Sequence, residues 1–181
     1  LLYRESDKYY YCDKYQDPTS QDAWAPILRY SEVLLNEAEA AARSNNKTLA
    51  LEKLNEVRDR SLANPAQESY KASDFADTKA LLEAILWERR IEFHGEGRRW
   101  EDIHRLANDD LFPSGGIPAK IEYNNSEGVG AFVVNGEVKS EWYSSSKKFI
   151  PYTDKRFIWP IPLNDILRNP TLSKQQNAGW E

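Results

Sequence analysis

Ile27-Leu28-Arg29-Tyr30-Ser31-Glu32-Val33-Leu34-Leu35-Asn36-Glu37-Ala38-Glu39-Ala40-Ala41-Ala42-Arg43 decides the fold. Read at helical spacing, it places Ile27, Tyr30, Leu34, Ala38 and Ala41 on one face and Glu32, Asn36, Glu39 and Arg43 on another. That recurrence predicts an amphipathic helix whose apolar stripe faces a core. The small Ala38, Ala41 and Ala42 would let a second helix approach closely, and Asn45-Asn46 supplies the turn such a partner needs. The partner follows at once. Leu51, Leu54 and Val57 give it an apolar face, Glu56 stands four residues before Arg60, and Asn64-Pro65 is expected to end it.

Working toward the carboxy terminus, the same arrangement recurs after a polar loop. Asp77 or Thr78 can cap a third helix whose inner face carries Leu82, Leu86 and Phe93. Gly95 and Gly97 interrupt it. Trp100, Ile103 and Leu106 then mark a fourth, shorter helix, with Glu101 four residues before Arg105. The fold class is therefore mainly α, a tetratricopeptide-like α-α superhelix of two helical hairpins over residues 27–108. A clean period of about 34 residues is missing, so a regular array is not expected.

The flanks read differently. Residues 1–26 form an extended lead-in, rich in tyrosine (Lys8-Tyr9-Tyr10-Tyr11, Lys14-Tyr15), that turns at Asp17-Pro18. Residues 109–156 form a loop-rich insertion. Within it, Ala131-Phe132-Val133-Val134, Asn135-Gly136 and Glu137-Val138-Lys139 spell a small β-hairpin, because Asn-Gly supplies the positive φ values of a tight turn. Residues 157–181 are extended by the prolines of Trp159-Pro160-Ile161-Pro162, with a helical turn from Asn164 to Arg168 that Asn169-Pro170 stops. Residues 1–181 are read as one domain, since this length supports one sizeable core but not comfortably two.

Composition excludes several functions. Lys plus Arg total 24 against 29 for Asp plus Glu, and the net charge of -5 would repel a phosphate backbone, so nucleic acid is not an expected partner. No stretch approaches the roughly 20 apolar residues that cross a bilayer as a helix. The chain holds no Met and opens on Leu1-Leu2-Tyr3-Arg4, which reads as a processed or excised part of something longer. A single Cys12 cannot form an internal disulfide and matches neither a redox pair nor a sulfur-rich zinc site. His94 and His104 lack the spacing of a helical metal site, and Gly95-Glu96-Gly97 lacks the strand and the Lys-Ser/Thr ending of a phosphate loop. No GxSxG elbow is present, and no cofactor is expected.

Helix three carries an anomaly. Glu88, Arg89 and Glu92 fall on or beside the face that bears Leu82, Ile85, Leu86 and Phe93. Charges there must be paired, because burying an ion alone costs several kcal/mol. One reading makes the carboxylates a glycosidase acid/base pair. The other is an ionic clasp of Glu88, Arg89, Glu92, Glu96, Arg99 and Asp102 that fixes the angle of the hairpin. The second is preferred, since neighbouring arginines depress carboxylate pKa values and spoil a general acid.

Three stretches together carry a family resemblance. They are Leu28 to Ala40; Glu88-Arg89-Arg90-Ile91-Glu92-Phe93 with Glu96-Gly97-Arg98-Arg99-Trp100-Glu101-Asp102; and Trp159-Pro160-Ile161-Pro162 with Asn169-Pro170 and Gln176-Asn177-Ala178-Gly179-Trp180. In this order the chain resembles the carboxy-terminal part of a SusD/RagB-type protein. It departs from the family at Ala178, where proline is usual, and at Glu101, where an aromatic is common. The resemblance implies a non-enzymatic lipoprotein on the surface of the outer membrane, attached by a lipid anchor outside this chain. Such a protein caps a TonB-dependent transporter barrel and delivers glycans, or sometimes peptides, unchanged. The shared motifs are architectural, so no ligand residue is carried over.

From the residues themselves, Trp142 and Tyr143, with Tyr123 as a neighbour across the insertion, are the candidate glycan contacts. A Trp beside a Tyr in a loop offers flat apolar surface edged by hydrogen-bonding groups. The competing reading is that Trp142 pins the insertion onto the helical body. For the whole chain, the alternative to glycan capture is a helical scaffold that binds a protein partner; a glycoside hydrolase is the weakest reading.

Overall fold

The computed structural model of this chain describes residues 2–4, 9–11, 14–15, 25–118 and 149–180. Cys12, Tyr123, Trp142, Tyr143 and the Asn135-Gly136 hairpin lie outside the described residues. Helix α1 (Tyr30–Arg43) opens three residues after Ile27 because Arg29 is extended, at φ -129° and ψ 151°. Its end is a Schellman motif. Asn45 takes φ 60°, Asn46 N donates to Ala41 O at 2.8 Å, and Asn45 N donates to Ala42 O at 3.0 Å. The Asn46 side chain then accepts from Leu49 N at 3.2 Å and starts α2 (Lys47–Arg58). Two asparagines thus end one helix and begin the next, as a short αα-hairpin requires.

α2 passes into a 3-10 turn (Asp59–Ser61). Pro65 opens the short α3 (Pro65–Glu68) at its first turn, where a missing N–H costs nothing. After a second 3-10 turn (Ala72–Asp74), Asp77 accepts from Ala80 N at 2.8 Å and caps α4 (Thr78–Glu92). α4 packs on both α1 and α2. Leu35 of α1, Leu54 of α2 and Leu81, Leu82 and Ile85 of α4 are fully buried large side chains at this junction, each contributing about 2 kcal/mol by leaving water. Ala38, Ala42 and Ala50 lie wholly inside and allow the close approach expected of small residues.

The chain divides into two compact units, one of Leu1–Arg4 with Tyr10–Glu101 and one of Glu5–Tyr9 with Asp102–Glu181. The helical body above belongs to the first. Strands β1 (Leu2–Arg4) and β2 (Tyr9–Tyr11) pair. Gly95 and Gly97, at φ 77° and 81°, separate α4 from α5 (Arg98–Arg105) as their sequence position predicts.

In the second unit, Ile103, Ala107 and Phe157 form a small core with Ile117 packed against it. Antiparallel strands β3 (Gly116–Ile117) and β4 (Ile150–Pro151) pair Gly116 with Pro151 and Ile117 with Ile150, closing the base of the insertion. A 3-10 turn (Lys155–Phe157), α6 (Leu163–Arg168) and a 3-10 segment (Pro170–Gln175) follow. The chain end then folds back. Gln176 bonds both N and O of Ile161, Asn177 Nδ2 donates to Trp159 O at 2.6 Å, and Trp180 Nε1 donates to Lys155 O at 2.9 Å.

The mainly helical class expected from periodicity is present, with corrections in detail. Ile27 and Tyr30, expected on the inner face, are 86% and 69% exposed, because α1 begins later and turns Leu34 and Leu35 inward. Glu39, expected outside, is buried and accepts from Arg43 Nε at 2.9 Å. Glu56 pairs with Lys53, not Arg60, since Arg60 lies in the turn beyond the last residue of α2. Glu101 likewise pairs with Arg98, while Arg105 donates to Asp102 at 2.7 Å.

Candidate functional site

The last turn of α4 gathers the charges. Ile85, Glu88, Arg89 and Glu92 recur at helical spacing on the face that meets the rest of the first unit, so apolar packing and ions share one stripe. The Glu92 side chain is 12% exposed and that of Glu96, in the turn that follows, is 4% exposed. Arg29 serves both. Its Nη1 donates to Glu92 Oε1 at 2.7 Å, while Nε and Nη2 donate to Glu96 Oε2 and Oε1, each at 2.9 Å. The second contact is the forked geometry that suits guanidinium to carboxylate.

Other segments converge on the same place. Arg60 Nη2 donates to Glu92 Oε1 at 2.6 Å. Lys14 Nζ donates to Glu96 Oε1 and to the backbone oxygen of Glu92, and Arg29 Nη2 reaches that same oxygen at 3.1 Å. A carbonyl at a helix end has no intrahelical partner, and the helix dipole is negative there, so two cations satisfy it and complement its charge. Tyr15 hydroxyl donates to Gly95 O at 3.2 Å, and the Arg29 guanidinium sits 5.1 Å from the centre of the Phe93 ring. Lys14, Tyr15, Pro26, Arg29, Arg60, Glu92 and Glu96 line a surface depression of about 350 Å³.

The remaining charges predicted for the clasp have other surroundings. Arg89, 3% exposed, donates to Asn36 Oδ1 at 2.6 Å and lies 5.5 Å from the Phe93 ring centre. Glu88 accepts from Arg58 Nη1 at 3.2 Å, and Arg58 stacks 4.3 Å from the Tyr70 ring centre. Asp102 is buried in the second unit beside Arg105, and Arg99 is exposed. The principal cations, Arg29, Arg58, Arg60 and Lys14, lie outside the 88–102 interval to which sequence reasoning confined the pairing. The signal was the demand for cations created by carboxylates on an apolar stripe; helical spacing carries no information on which distant residues meet it.

The electrostatics fix what these carboxylates can do. Burial pushes Glu92 up, but hydrogen bonds from Arg60 and Arg29 outweigh it and hold the carboxyl below its ordinary range. Burial likewise opposes ionisation of Glu96, and bonds from Arg29 and Lys14 again bring it down. Both are ionised at neutral pH and lack the proton a general acid must give. Burial raises Glu88 against the opposing pull of Arg58. Among the described residues, no group of three or more His, Cys, Asp or Glu side chains could hold a metal ion, and no helix is long and apolar enough to cross a membrane.

The model of the SusD family matches residues 2–180 of this chain. SusD-like protein P38 of Formosa agariphila is 36% identical over 169 residues, which cover 90% of this chain and 26% of that protein. The chain therefore spans about a quarter of the length of this curated relative. No solved structure matches the chain. The family match runs through the helical body, the charged turn after α4 and the folded-back chain end alike: the chain belongs to the SusD family.

Proposed function

We propose that this chain is the carboxy-terminal part of a cell-surface protein that captures a glycan, or another nutrient, and passes it unchanged to a TonB-dependent transporter of the outer membrane. The family match over residues 2–180 carries the reading. The state of Glu92 and Glu96 supports it, because carboxylates fixed as arginine partners are joints of a scaffold and poor proton donors. In this reading Glu88, Arg89, Glu92, Glu96, Arg99 and Asp102 serve structure, and a lipid anchor outside the chain provides membrane attachment. Trp142 and Tyr143, with Tyr123, are assigned to the ligand.

A glycan array probed with the full-length protein tests capture, and calorimetric titration with the glycan it selects tests the assignment. Trp142→Ala is expected to weaken binding at an unchanged melting temperature. Unchanged affinity with a lowered melting temperature would place Trp142 in packing, and binding of a protein partner with no glycan retained would favour the scaffold reading.

A further inference from the structure

Among the described residues, charged side chains at the end of α4 number more cations than carboxylates, even though the negative helix end offsets part of that excess. Lys14, Arg29 and Arg60 meet, among the described residues, two carboxylates, Glu92 and Glu96, so cations exceed anions by one there in a chain whose net charge is -5. The nearby Glu88 does not cancel it, because Arg58 already pairs with that carboxylate. The excess is unevenly placed. Arg29 spends its guanidinium on Glu92 and Glu96, and Lys14 on Glu96 and the carbonyl of Glu92. Arg60 donates to Glu92 through Nη2 alone, and its side chain is 55% exposed. A guanidinium carries five N–H donors in a fixed fork, so most of those on Arg60 are available to a ligand. Tyr15, 41% exposed, presents its ring in the same depression.

We propose that this depression receives an anionic group of the captured sugar, a uronic acid carboxylate or a sulfate ester, with Arg60 as its principal partner and Tyr15 as the flat surface beside it. Both groups present paired oxygens to which a guanidinium can donate, and a sugar ring bearing either one has an apolar face that packs on an aromatic. The volume of about 350 Å³ suits one substituted monosaccharide unit and not a longer run. The residues of this site are other than Trp142 and Tyr143, and it rests on the glycan-capture reading for its ligand.

The test is a glycan array bearing neutral, uronate-bearing and sulfated oligosaccharides, probed with the full-length protein and with its Arg60→Gln variant over a concentration series. The parent is expected to retain acidic spots, less so as salt is raised, and Arg60→Gln to lose about tenfold in affinity on those spots only. Loss on uronate spots alone, or on sulfate spots alone, identifies which anion the site takes. Glu92 keeps Arg29 in the variant, so its melting temperature should hold. If it falls, Arg60→Lys decides: acidic spots that persist with Lys and vanish with Gln support the site, and equal loss in both overturns it. Acidic binding untouched by Arg60→Gln, or retention of neutral spots only, overturns the anionic site and leaves glycan capture standing. An array with no retained spot overturns capture itself and this site with it.

Discussion

Arg29→Ala removes the residue on which the end of α4 depends most. It deletes three charge-assisted bonds to carboxylate oxygens, one bond to the Glu92 carbonyl and a cation–π contact with Phe93. Stripping one member from a fully buried ion pair costs about 3–5 kcal/mol. The loss here should be smaller, because the Arg29 side chain is 27% exposed, Glu92 keeps Arg60 and Glu96 keeps Lys14. About 2 kcal/mol is the expected cost, read from the shift of the urea midpoint at unchanged slope. The pH dependence gives a second readout. Glu92 and Glu96 titrate below their ordinary 4.5 in the folded chain, so their stabilisation is complete above that pH and is lost as pH falls through the lowered values. The parent should weaken steeply below about pH 4.5, and Arg29→Ala should flatten that slope. A midpoint within about 0.5 kcal/mol of the parent, with the acid slope intact, would refute the hub as a source of stability.

Arg89→Ala should cost about 2 kcal/mol in the same assay, since Arg89 is almost wholly buried and its loss removes the bond to Asn36 and the packing against the Phe93 ring. Gly116→Ala would set a Cβ 2.1 Å from Ile150 O at a φ of 144°, so the β3–β4 ladder should open; rapid amide exchange at Ile117 would report it. Trp180→Phe keeps the ring and removes the indole donor shared by Lys155 O and Ile158 O. It should cost about 1 kcal/mol and speed amide exchange at Trp180, and exchange as slow as in the parent would argue against this latch.

Local chemistry made much of the fold legible. Asn45-Asn46 ends one helix and caps the next, Asp77 caps α4, Gly95 and Gly97 break the chain before α5, and Leu163–Arg168 forms the short helix read near Pro170. Each of these signals acts within about four residues, the reach of a cap or a turn. The start of α1 was not legible, because Tyr30 opens the helix only once Arg29 is held extended, and Arg29 bonds carboxylates 63 and 67 residues away. The candidate site was half visible for the same reason. Glu88, Glu92 and Glu96 announced a need for cations, but Lys14, Arg29, Arg58 and Arg60 come from segments that only tertiary packing brings there. Exchange of an expected partner, as where Arg60 leaves Glu56 for Glu92, follows from a helix ending two residues before the arginine.

Capture without chemistry is open to one direct experiment. The full-length protein is equilibrated with oligosaccharides selected on the array, bound and free fractions are measured, and the recovered ligand is sized by mass spectrometry. Saturable binding and a ligand recovered at its original length are expected; no binding to any glycan, or recovery of shortened oligosaccharides, would refute capture without chemistry.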